Sequence, residues 1–219
     1  MNYPNGVKKT TKTIIKDPIM TELSHKNRGM SLENDINLSN EYYCAIDKAY
    51  IYKKPTPIKI TKVDYPSRNK AVIKEAFFTV PSTTDYNGLY KGKYIDFEAK
   101  ETQSKTAFAL TNIHEHQINH LKNINNHSGI AFVIVRFTVL NETYLLTADK
   151  LLYFLDNIDR KSIPLSYFKE NAYLIKDGYN PRIDYLKIVD NLIGGKKKKK
   201  RKKLVKKLMK SQKLKQKLK

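Results

Sequence analysis

Apolar positions recur at two spacings along this chain, and the change of spacing marks where one kind of element should give way to another. Leu32, Ile36 and Tyr43 lie on one stripe of 3.6-residue period, which predicts an amphipathic helix to about Tyr43. Ser31 stands where an N-cap belongs, and Glu33 and Asp35 occupy the first turn, where acids are favoured. Ala49–Tyr52 predicts a short strand. Alternation continues at Ile58 and Ile60, but Pro55, Pro57 and Pro66 argue against a central strand. Residues 53–75 are therefore expected to be extended chain that leaves the core. Ala76–Val80 is strand-like, and the stretch Pro81 to Gly88 is rich in turn formers, with Asn87-Gly88 the strongest signal. Tyr94–Lys100 predicts a strand. Residues 113–126 predict a helix with Ile113, Gln117, Leu121 and Ile124 on one face. The apolar run Ile130–Val135 has the form of a strand buried on both faces. Thr143–Leu146 continues the sheet, Ala148–Leu155 predicts a helix, and Arg182–Leu192 a last helix or extended segment. Strands interleaved with helices point to an α/β fold.

Charge adds a second layer. The 219 residues carry a formal net charge of +21, from 42 Lys+Arg against 21 Asp+Glu. From Gly194 to Lys219 there are 15 basic residues and no acid, which leaves 27 basic and 21 acidic residues before that point. The division expected is a basic flexible arm over 1–27, a folded domain over 28–193 with an insertion at 53–75, and a Lys-rich tail over 194–219. The insertion is itself basic: Lys53, Lys54, Lys59, Lys62, Arg68, Lys70 and Lys74 stand against one acid, Asp64, up to residue 74. Such an excess favours polyanions, because neutralised phosphates release counterions. No apolar run approaches the roughly 18 residues of a membrane span. One cysteine, Cys44, excludes an intramolecular disulfide framework and fits a reduced, cytoplasmic setting.

The chemistry concentrates on the strand over 94–100. Side chains alternate faces along a strand, so Ile95, Phe97 and Ala99 point one way and Asp96, Glu98 and Lys100 the other. Two acids and a lysine on one face are unfavourable to bury unless something compensates them. A hard divalent cation would, since it takes carboxylate oxygens and water. Asp85 stands 13 residues before Glu98, so a hairpin can bring the two together. Lys100 beside them could stabilise charge as it develops on a phosphate. His116 and His120 share an i, i+4 spacing, but no glutamate follows His116 as a zinc protease motif requires.

An acid, a spacer and Glu-x-Lys resembles the PD-(D/E)xK nuclease motif. Longer words carry a more specific resemblance. Met1-Asn2-Tyr3-Pro4-Asn5-Gly6, Arg28-Gly29-Met30-Ser31-Leu32-Glu33, Lys53-Lys54-Pro55-Thr56-Pro57, Pro81 to Gly88, Tyr94 to Glu101, Asn112 to Gln117 and Pro181-Arg182-Ile183-Asp184-Tyr185 are similar, in this order, to the RecU family of Holliday junction resolvases. The resemblance spans about residues 1–192. It implies a restriction-endonuclease-like α/β fold: a mixed sheet flanked by helices, with the basic insertion projecting as a stalk. It implies an endonuclease that uses Mg²⁺, or Mn²⁺ in its place. Such an enzyme makes paired hydrolytic nicks in strands of like polarity across four-way junction DNA during recombination and repair, leaving 5′-phosphate and 3′-hydroxyl ends. By position, the metal residues would be Thr83, Asp85, Glu98 and Gln117, with Lys100 the transition-state stabiliser and Glu33 a second candidate catalytic acid. Arg28, Lys54, Arg68 and Lys70 would contact DNA. The resemblance implies a homodimer, with a strand-exchange recombinase as a candidate further partner and no membrane. Pro81 lies four residues before Asp85 rather than next to it, as the general motif would have it. The Lys-rich tail has no counterpart in the family pattern. The competing reading is a basic nucleic-acid-binding protein without catalysis that modulates recombination. The acids on the strand face weigh against it, because they repel a phosphate backbone.

Overall fold

The computed structural model describes residues 31–67, 70–78 and 83–194. The arm over 1–27, the tail beyond residue 194, Arg28 and Arg68 lie outside the described residues.

A six-stranded mixed sheet forms the centre, in the order β1-β4-β5-β7-β8-β10. Its strands are β1 (Tyr50–Lys53), β4 (Tyr86–Tyr90), β5 (Lys93–Thr102), β7 (Ile130–Phe137), β8 (Glu142–Thr147) and β10 (Tyr173–Ile175). All neighbours run antiparallel except β5 and β7, which are parallel. Parallel strands need a crossover. The connection supplies one through β6 (Ala107–Ala109), a 3-10 turn at Leu110–Asn112 and α2 (Glu115–Asn126). β6 pairs with β9 (Ser162–Pro164) outside the main sheet.

The two faces of the sheet carry separate cores. On one face, Ile95 and Phe97 of β5 and Ile130, Phe132 and Ile134 of β7 pack against Leu32, Ile36 and Tyr43 of α1 (Leu32–Ala45) and a closing helix, α5, over 185–194. On the other, Ala131, Val133 and Val135 pack against α2, α3 (Ala148–Asn157) and α4 (Leu165–Asn171). Every residue of β7 is buried, which is why its sequence reads as one apolar run with little alternation. The expected mixed sheet flanked by helices is therefore present. An acid from β5 caps the first helix: the Leu32 N–H donates to Glu101 Oε1 at 2.7 Å.

The insertion folds as a hairpin of its own, β2 (Ile58–Asp64) against β3 (Val72–Phe78). Both strands are almost wholly exposed. Two expectations change here. The insertion runs past residue 75: Ala76–Phe78 of the strand-like stretch belongs to the hairpin, with Ala76 opposite Ile60 and Phe78 opposite Ile58, while residues 79 and 80 lie outside the described residues. Asn87-Gly88 sits inside β4 and makes no turn. The β4–β5 turn lies at Lys91-Gly92, both with positive φ (49° and 68°), as a two-residue hairpin loop requires. Gly88 serves close approach. It stands opposite Ile51, and a Cβ there would lie 2.1 Å from the Tyr50 carbonyl oxygen and 2.6 Å from Ile51 Cα. Those are backbone atoms, and they cannot swing aside. Gly88→Ala is expected to destabilise the protein by roughly 1–3 kcal/mol, read as a lower urea midpoint. An unchanged midpoint would mean that β1 yields freely.

Helix α2 begins at Glu115 rather than 113, with Ile113 closing the preceding turn. The closing segment is helical over 185–194, preceded by a bridge between Asp177 and Ile183. β6, β9 and β10 are three residues each, too short to show a period. Among the described residues, no helix is long and apolar enough to cross a membrane.

Candidate active site

β5 organises the site. Asp96, Glu98 and Lys100 project toward α2, and the first two are fully buried. Asp85 immediately precedes β4. Because Tyr86 stands opposite Phe97, residue 85 arrives beside Glu98. Each carboxylate then takes a backbone N–H from beside the other acid. The Asp85 N–H donates to Glu98 Oε2 at 3.1 Å, and the Ala99 N–H donates to Asp85 Oδ2 at 3.1 Å.

Glu98 Oε1 takes two more donors. Lys100 Nζ lies 2.7 Å from it, and Gln117 Nε2 donates to it at 2.8 Å. Gln117 is held from its other end, where Oε1 accepts the His114 N–H at 3.0 Å and closes a capping box at the start of α2. Burial and then the neighbouring Asp85 carboxylate push Glu98 up to about 7, while Lys100 pulls the other way. Burial acts first because it disfavours the charged form.

Thr83 is exposed, and its hydroxyl accepts from Lys54 Nζ at 3.0 Å. The same ammonium donates to Thr84 Oγ1 at 2.6 Å and lies 2.8 Å from Asp96 Oδ2. Lys54, expected to face DNA, thus turns its charge inward. Asp96 also accepts from Thr84 and, at 2.9 Å, from the Tyr94 hydroxyl, and His120 Nε2 lies 3.1 Å from it. The Lys54 N–H donates to the Asp85 carbonyl at 2.7 Å.

Asp85, Glu98, Lys100 and Gln117 therefore converge. Glu33 instead pairs with Lys53 at the start of α1, with its side chain about half exposed. Lys70 lies exposed at the turn of the hairpin, where its N–H donates to the Ser67 carbonyl. Strand alternation puts Asp96 on the site face, while two of its partners come from segments distant in sequence. The signal was available, since Asp96 is two residues before Glu98 on a strand and His120 is three after Gln117 on a helix.

The donor set suits a hard divalent cation. Two adjacent carboxylates repel each other, and a cation between them relieves that repulsion while water fills its remaining positions. Ligation by Gln117 needs a half-turn of its amide, because its nitrogen now faces Glu98. Among the described residues, no three His, Cys, Asp or Glu side chains form a metal cage. The site would thus rest on two carboxylates plus neutral donors.

Residues 27–191 match the family profile described as Recombination protein U. The chain is 50% identical over 196 residues to the Holliday junction resolvase RecU of Bacillus cereus (strain G9842), covering 88% of this chain and 98% of that protein. It is 52% identical over 193 residues to the Holliday junction resolvase RecU of Geobacillus sp. (strain WCH70), covering 87% and 96%. The solved structure of Archaeoglobus fulgidus Hjc, a Holliday junction resolvase, aligns with a TM-score of 0.37 at 10% identity, over 63% of this chain and 89% of that one.

Proposed function

We propose, from the premise that this chain belongs to the recombination protein U family, that it resolves Holliday junctions as a metal-dependent endonuclease. The observation that carries this reading is the convergence of Asp85, Glu98, Lys100 and Gln117 at one point of the sheet, in a chain half identical to resolvases over nearly their whole length. A protein that only bound DNA would gain nothing from a buried acid and a half-buried one side by side next to a lysine.

Mg²⁺, or Mn²⁺, would be held by Asp85 and Glu98 with Gln117 and Thr83, and would supply an activated water and a polarised phosphate. Lys100 is tied to Glu98 but keeps a quarter of its side chain exposed. That lets its ammonium reach a phosphate oxygen as negative charge builds there. The Asp85 and Ala99 N–H contacts fix the distance between the two acids before substrate arrives. The exposed hairpin, with Lys59, Lys62 and Lys70, presents cations that can neutralise junction phosphates. A homodimer would bring two such sites to a symmetric junction, as two cuts in strands of like polarity require. Action on chromosomal junctions would place the protein in the cytoplasm.

The test is cleavage of a synthetic mobile four-way junction with Mg²⁺, and with chelator as control. Paired symmetric nicks that need the metal are expected. Tight binding without cleavage in either Mg²⁺ or Mn²⁺ would leave a binding protein.

A pH prediction follows from Glu98. Its proton is held more tightly in the folded chain than in the unfolded one, up to about 7 from an ordinary 4.5. In metal-free protein its contribution to stability is therefore full at acid pH and lost as pH rises through about 7. The cation competes for that proton. Mg²⁺ should therefore raise the unfolding temperature more at pH 8 than at pH 6, as thermal scans with and without the metal would read. An equal gain at both would separate Glu98 from the metal.

A further inference from the structure

The buried carboxylate of Asp96 has no part in the chemistry described so far, yet it is the most heavily partnered acid near the site. We propose that Asp96 is a positioning residue: through Lys54 and Thr84 it fixes the segment that presents Asp85, and through His120 it fixes the helix that presents Gln117. The inference rests on the nuclease reading above and deepens it.

A fully buried carboxylate must be compensated or the fold suffers. One lysine would do this. Asp96 instead gathers Lys54 Nζ, the Thr84 hydroxyl, the Tyr94 hydroxyl and His120 Nε2. Lys54 follows β1, Thr84 precedes β4, Tyr94 is on β5 itself and His120 is on α2. Each of the last three elements also carries or adjoins a residue of the reacting set, namely Asp85, Glu98 and Gln117. Lys54 tightens the link, because its three ammonium hydrogens are matched by Thr83, Thr84 and Asp96 while its backbone N–H holds the Asp85 carbonyl.

The helix contact has a simple geometry. Gln117 and His120 are three apart, so they share a helix face. Asp96 and Glu98 are two apart, so they share a strand face. The result is two parallel rungs, Asp96 to His120 at 3.1 Å and Glu98 to Gln117 at 2.8 Å. Core packing through Leu121 seats α2 on the sheet, and the two rungs fix its polar face over the site. Groups that orient metal-binding side chains from behind typically change metal affinity or activity by about 10–100-fold when removed.

The test uses the full chain with Asp96→Asn, which keeps the shape and removes the charge. Three quantities are read: single-turnover cleavage of a four-way junction at saturating junction and Mg²⁺, junction affinity without metal, and backbone amide exchange in metal-free protein. Cleavage should slow by about 10–100-fold with junction affinity unchanged. The Asp85 and Ala99 amides, which tie the two reacting acids together, should exchange faster while those of Val133 to Val135 stay protected. His120 is a gentler site, only partly buried, and covers the case in which Asp96→Asn does not fold. His120→Phe should slow cleavage and His120→Gln, which can still donate to Asp96, should restore most of it. Faster exchange spread equally through β7 and β8 would make Asp96 a general stabiliser and overturn the proposal. So would wild-type rates in both Asp96→Asn and His120→Phe, while wild-type cleavage itself left the nuclease reading intact. No cleavage by the wild type would overturn both readings together.

Discussion

Asp85→Asn is expected to remove junction cleavage while junction binding survives. Asparagine keeps the shape and can still accept the Ala99 N–H that Asp85 Oδ2 takes at 3.1 Å. What disappears is the charge, and the charge is what a divalent cation and an attacking water depend on. The loss should reach at least about 10²–10³-fold in the single-turnover rate, the scale seen when one preorganised electrostatic group is removed from a reacting centre. Stability should hold or rise slightly, because the Asp85 carboxylate repels Glu98 and is the second cause, after burial, of its raised proton affinity. The variant thus separates chemistry from folding: a mobility-shift titration should overlay the wild type, and thermal unfolding in chelator should be no lower. Cleavage at the wild-type rate would take Asp85 out of the reacting set.

The convergence of Asp85, Glu98 and Lys100 was legible because these residues are close in sequence. A two-residue period on β5 puts Glu98 and Lys100 on one face, and a short hairpin can only return Asp85 to the same place. Gln117 entered through the family resemblance; the helical stripe it shares with Leu121 gave only its inward direction, and both are buried in the structure. The basic excursion from the core was legible from proline and charge, but its extent was not. Nothing in Ala76–Phe78 distinguishes a strand that enters the sheet from one that completes an exposed hairpin, because both are apolar and extended. The Asn87-Gly88 signal failed for a related reason. Glycine there answers to the backbone of β1, a neighbour distant in sequence, while the actual turn at Lys91-Gly92 carries a weaker local signature. The partners of Asp96 were hidden in the same way, since Lys54 lies 42 residues away and His120 lies 24.

Its place in the first turn suits Asp35 to the helix dipole, and the structure gives it a larger task. It shares a stripe with Leu32, Ile36, Ser39, Asn40 and Tyr43, and all six are buried. An acid inside an apolar stripe asks for a buried cation, and two come. Arg136 Nη1 lies 2.7 Å from Asp35 Oδ2, and Arg182 Nε lies 3.1 Å from Oδ1. Arg136 extends the row Ile130, Phe132 and Ile134 on β7, and its Nε donates to Thr143 on β8 at 3.0 Å. Arg182 precedes α5, so the carboxylate joins α1, the sheet and the closing segment. Ser39 adds a neutral link, accepting the Ile183 N–H while it donates to the Asp35 carbonyl. Desolvation largely offsets the attraction in such a cluster, so its net contribution to stability is small; breaking it is another matter, because the remaining charges stay buried. Asp35→Ala is therefore expected to cost about 3–5 kcal/mol, seen as a lower urea midpoint at unchanged slope. Replacing Arg136 with Met in the same chain removes the more deeply buried of the two cations that Asp35 compensates. The double variant Asp35→Ala, Arg136→Met should then be more stable than Asp35→Ala alone, although Arg136→Met by itself is also destabilising. That reversal is the decisive feature, since independent contacts would add their losses. Additive losses, or a shift for Asp35→Ala below about 1 kcal/mol, would place these groups among solvent-screened surface pairs.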